Sequence, residues 1–115
     1  MNWYLAKIVF RIICGTGNHT PQFDEQIRLV TAASYTEALA RVRDLGIKEQ
    51  DLFLNQKSEL VEWKFINVVE LKMIDELKDG MELYSRVEEA EDASRYIEFI
   101  NNKAEELKAG LFVTK

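Results

Sequence analysis

The chain has 115 residues, 47% of them hydrophobic and 30% charged, with one proline, five glycines and one cysteine; that describes a single folded domain, residues 1–115, and excludes a disordered or low-complexity chain. The net charge of −5 supplies no overall basic field for a phosphate backbone, so nucleic acid is a disfavoured partner. The most apolar stretch is interrupted by Lys7 and Arg11, which excludes a signal-peptide core or membrane helix, and Cys14 stands alone, which excludes an internal disulfide; a cytoplasmic setting with no membrane contact is expected.

Residues 3–14 (WYLAKIVFRIIC) read as a strand whose even positions, Tyr4, Ala6, Ile8, Phe10, Ile12 and Cys14, are all apolar, and whose odd positions are mixed. Such a strand needs cover on both faces. Residues 15–21 (GTGNHTP) form a turn cluster, after which Phe23, Ile27 and Leu29 alternate with Asp24, Gln26 and Arg28 in a second strand, apolar on one face only. Residues 34–37 (SYTE) form a capping box, and Ala38, Leu39, Val42 and Leu45 give the helix that follows an apolar stripe, with Gly46 expected in the left-handed conformation that closes it. Residues 47–59 show no period.

Alternation returns over 60–74, with Val61, Trp63, Phe65, Val69, Leu71 and Met73 on one face, interrupted at Asn67. Residues 78–80 (KDG) mark a turn, and Met81, Leu83 and Val87 suggest a fourth strand. A last amphipathic helix is expected over 91–109, its stripe made of Ala93, Tyr96, Ile97, Ile100, Ala104 and Leu107.

The expected fold is therefore α+β, a two-layer ββαββα with a four-stranded antiparallel sheet in the order 2-1-3-4 and two helices on one face. The helices would cover the even positions of the first strand and the odd positions of the others. The opposite, open face would carry Trp3, Leu5, Lys7, Val9, Arg11 and Ile13, then Glu62, Lys64, Ile66, Val68, Glu70 and Lys72. Asp24, Gln26, Arg28, Val30, Glu82, Tyr84 and Arg86 would flank them. An apolar centre ringed by charge has the anatomy of an interface, and Leu5, Val9, Ile13, Ile66 and Val68 are the candidate homodimer contacts. Long Lys and Arg stems lying over a modest apolar strip would account for the same pattern in a monomer.

The same face suggests an anion site. Trp3, Lys7, Lys64, Tyr84 and Arg86 combine cations with aromatic rings suited to a carboxylate or phosphate ligand, although cross-strand ion pairs explain such charges as well. His19, the sole histidine, reads as a turn residue, and Cys14 as a small buried hydrophobe. No metal, cofactor or catalytic residue is implied, because no nucleophile has a base beside it and no carboxylate pair lies among apolar residues.

Three motifs carry a resemblance: WYLAK at 3–7, EWKF at 62–65 and DGMELYSR at 79–86. In this order and spacing the chain resembles, over residues 3–87, a family of small bacterial domains of unknown function that open with a W-Y-x-A-K strand. The resemblance implies a stand-alone bacterial domain and no reaction. Three readings follow: a non-enzymatic module that dimerises through its open face or binds another protein there, a small domain that binds an anionic ligand or acts on one, and an immunity-type inhibitor that meets a basic toxin with its acidic helix.

Overall fold

The computed structural model describes residues 1–110. Its elements in chain order are β1 (Asn2–Cys14), β2 (Gln22–Ala32), α1 (Tyr35–Lys48), β3 (Asp51–Leu54), β4 (Leu60–Ile74) and α2 (Ala93–Gly110). The four strands form one sheet in the order β2-β1-β4-β3, with every neighbouring pair antiparallel. The chain forms two units, one covering Met1–Leu83 and the other running from Tyr84 through α2.

The two long apolar strands, β1 and β4, lie in the middle as their sequences require. The strand beside β4 is β3, inside the stretch without a period, and not residues 81–87, so the order differs from the expected one. A four-residue strand reading DLFL is too short to show alternation. Its hairpin is made by local polar chemistry: Asn55 Oδ1 accepts from the backbone N–H groups of Lys57 and Glu59, and Ser58 takes a positive φ of 60°. The turn at 78–80 does form, with Met81 N–H donating to the Lys78 carbonyl, but residues 81–87 join no ladder.

The capping box forms in altered geometry. Ser34 Oγ accepts from Glu37 N–H at 3.2 Å, and the Glu37 carboxylate reaches back to Ala33 N–H, one residue beyond the expected donor. Helix α1 packs Ala38 and Val42 against Tyr4, Ala6, Ile8 and Phe10 of β1 and Val30 and Ala32 of β2, with Leu45, Trp63, Phe65, Val68 and Leu71 around them. Full burial of Ile8, Phe10 and Val42 contributes roughly 1.5–3 kcal/mol each.

Two β-bulges shape β4. The β1 register runs Lys7↔Glu70, then Ile8↔Val68, and Val9↔Asn67, then Phe10↔Phe65, leaving Val69 and Ile66 unpaired. Val68 therefore packs on the α1 side, against its expected place on the open face, while Val69, expected under the helices, is exposed.

Helix α1 also runs past Gly46, which is buried and helical; the glycine is needed for space. A Cβ there would stand 2.4 Å from Cδ1 of Phe65, whose ring meets Phe10 edge-on at 6.1 Å. In the second unit α2 forms as a helix, and no residue of it is buried.

Gly46→Ala should destabilise the fold despite alanine's better helix propensity of about 1 kcal/mol, because the added methyl would push the Phe65 ring out of its edge-on contact with Phe10. Urea unfolding should show a lower midpoint with an unchanged slope.

Candidate interaction face

Register decides which residues share the face away from α1. In the β1–β2 pairing Tyr4 lies opposite Val30, Ala6 opposite Arg28 and Phe10 opposite Asp24, so even pairs with even. Asp24, Gln26, Arg28 and Val30 consequently lie on the α1 side, contrary to expectation, and Phe23, Ile27 and Leu29 lie on the open face. Their side chains are 56%, 46% and 55% exposed.

The polar β2 residues on the α1 side are tied together. Asp24 Oδ2 accepts from Gln26 Nε2 at 2.6 Å and from the Trp63 indole at 3.3 Å, and Arg28 donates to Gln26 Oε1. Arg28 also grips Glu49, the residue that caps α1, through two hydrogen bonds of 2.5 and 2.7 Å. These hydrogen bonds, aided by the guanidinium charge, hold the Glu49 carboxyl below its ordinary range, while partial desolvation opposes them.

On the open face the candidate residues separate. Leu5, between Leu29 and Lys72, is only 4% exposed, and Ile74 opposite Trp3 is buried too, so this end is closed within the chain. Lys7 is 8% exposed and its ammonium lies 2.9 Å from Glu25. Val9 and Ile13 are half-buried, while Trp3, Lys64 and the unpaired Ile66 are exposed. Lys64 stands opposite Arg11, eight residues along β1 from Trp3, or about 26 Å at the rise of a strand. Trp3 and Lys64 are not brought together. Tyr84 and Arg86 belong to the second unit, where Arg86 is paired with Glu88.

The turn holds a different arrangement. His19 Nδ1 faces the Thr20 carbonyl, which can only accept, so Nδ1 carries the proton and Nε2 accepts from Cys14 N–H at 3.0 Å. Both ring nitrogens serve the backbone, and the histidine locks the turn. Cys14 is a half-buried free thiol, more open than expected. Among the described residues no group of three or more His, Cys, Asp or Glu is placed to hold a metal ion, and no helix is long and apolar enough to cross a membrane.

The alternation of β2 taken alone fits the reverse facing, because apolar residues are expected inside. The missed signal was the apolar pair Val30 and Ala32 at the end of β2 nearest α1, which fits the even parity of β1.

Because the folded-state carboxyl of Glu49 is held down by Arg28, its contribution is present above the unfolded value and disappears as pH falls through the folded one. The pair is solvent-screened and the effect small. The melting temperature of Glu49→Gln should lie below native at neutral pH and converge on it in acid, which thermal melts at about pH 7 and pH 3 check.

No curated protein and no solved structure matches the chain. One family model does, over residues 3–85, which takes in all of the sheet after Asn2 and all of α1 and stops short of α2. The WYLAK strand, the EWKF segment of β4 and nearly all of the DGMELYSR turn fall within that match, and the chain belongs to the family described as domain of unknown function DUF4288.

Proposed function

We propose that the domain is a non-enzymatic protein-interaction module that self-associates through the sheet face opposite α1. The observation that carries this reading is the stripe of Phe23, Ile27 and Leu29, exposed along β2 beside Val9 and Ile13 of the central strand. Exposed apolar surface of this kind, when contiguous and rimmed by charge, marks contact surfaces more often than solvated sheets. Leu5 and Val68 are already packed within the chain, so the contact centres on Val9, Ile13, Ile27, Leu29 and Ile66.

The face carries nearly balanced charge of both signs, as a surface that meets its own copy requires. Register gives it Lys7, Arg11, Lys64 and Lys72 against Glu25, Glu62 and Glu70, an excess of one positive charge in a chain whose net charge is −5. The rest of the same chain is correspondingly acidic. Because both signs are interspersed on the face, two copies meeting about a two-fold axis can set cations of one against carboxylates of the other, while the acidic remainders repel and disfavour other contacts.

Val9→Glu places a carboxylate at the centre of the face without touching the α1 side. Light scattering from low to high micromolar concentration should give a native chain that dimerises and a folded Val9→Glu monomer. A native monomer throughout the range would contradict the reading.

A further inference from the structure

Within the open face, one pair of charges is arranged against its own stability. Arg11 and Lys64 stand directly opposite each other on antiparallel strands, with exposed Phe23 on the other side of Arg11. Like charges in this position repel. Neither has an ion-pair partner among the described residues, and Arg11 Nε is buried with no acceptor. Glu62, two residues along β4 and opposite Ile13, engages neither of them. A guanidinium and an ammonium held side by side on an apolar face form a receptor for carboxylates, worth more when the surface around them is desolvated.

The chain also carries carboxylates without partners. In the acidic run of residues 88–92, Glu88 is committed to Arg86, and Asp92 Oδ1 accepts from Arg95 N–H at the start of α2. Glu89 and Glu91 have no ion-pair or hydrogen-bond partner among the described residues. They are two residues apart in irregular backbone, a spacing of about 6.5 Å if extended, close to the roughly 5 Å that separates Cα atoms across antiparallel strands.

We propose that Arg11 and Lys64 receive Glu89 and Glu91 of a second copy, so that the acidic run of each protomer docks at the cationic end of its partner's open face. This rests on the self-association reading and adds to it the groups that set pairing and orientation. The unfavourable Arg11–Lys64 pair is then a binding device, tolerated in the single chain and neutralised in the dimer.

The test uses full-length chains and charge exchange. Arg11→Glu with Lys64→Glu gives one variant, and Glu89→Lys with Glu91→Lys gives another. Alone, each should dimerise at least roughly tenfold more weakly than native, because like charges then meet across the contact. Mixed in equal amounts, they should recover the native dimer mass, since each acidic face meets a basic run. In a separate control, at a concentration low enough for the native chain to be monomeric, Lys64→Gln should melt above native by relieving the repulsion. A native dimer that Val9→Glu disrupts but that neither charge variant weakens overturns this inference and leaves the self-association reading standing. Loss in each variant without recovery on mixing overturns the exchange between copies, and a lower melting temperature for Lys64→Gln under those monomeric conditions would reveal a partner within the chain and overturn it too.

Discussion

The register between β1 and β2 is the constraint on which the rest of the structure depends. It is set by the seven residues between the strands, where Gly15 and Gly17 take positive φ values of 57° and 82°, Gly15 N–H reaches the Leu60 carbonyl at 2.7 Å, and the His19 ring bridges Cys14 and Thr20. These contacts tie the turn to its own strands and to the start of β4. With Ile12 opposite Gln22, every even residue of β2 faces α1 and every odd one faces away. A slip of one residue would exchange the two sets, bringing Phe23, Ile27 and Leu29 under the helix.

The observed register is supported by what lies under α1. Val30 and Ala32 are buried against the helix, and the small Ala32 and Ala38 allow close approach, as Gly46 does over Phe65. Beyond the helix, where a large apolar residue would have no lid, β2 presents Asp24, Gln26 and Arg28, which are satisfied by Trp63, by one another and by Glu49. Placing the apolar residues outward on β2 sets exposed Phe23 and Ile27 beside the half-buried Val9 and Ile13 of the central strand β1.

Much of this was legible in the sequence, because periodicity reports long elements well. The two-sided apolar pattern of residues 3–14 marked the central strand, the serine and glutamate of SYTE marked the start of α1, and residues 60–74 formed the other central strand as expected. Facing was harder, since period-two alternation says that two faces differ without saying which one is inside. On β2 the apolar set proved to be the outward one. On β4 two bulges broke the alternation, visible in the sequence only as Asn67 within an apolar run. The strand β3 escaped because four residues carry no period, and Gly46 was misread because a glycine near a helix end serves either backbone conformation or close packing. Of the five residues grouped as an anion site, Lys7 is engaged by Glu25 and Trp3 stands far from Lys64, because parity alone does not measure distance along a strand.

Taken by itself, the chain keeps features that a solitary domain would gain by losing: an apolar stripe in water and two facing cations. Natural sequences retain local inconsistencies of this sort chiefly where function needs them. The most direct test of whether a second copy covers the open face is the solvent exposure of its methyl groups, read from the relaxation caused by a soluble paramagnetic probe as protein concentration rises. Val9, Ile27 and Leu29 should become protected with concentration while Ile47, exposed on α1, does not change. Unchanged exposure of Val9, Ile27 and Leu29 across the concentration range would contradict the account.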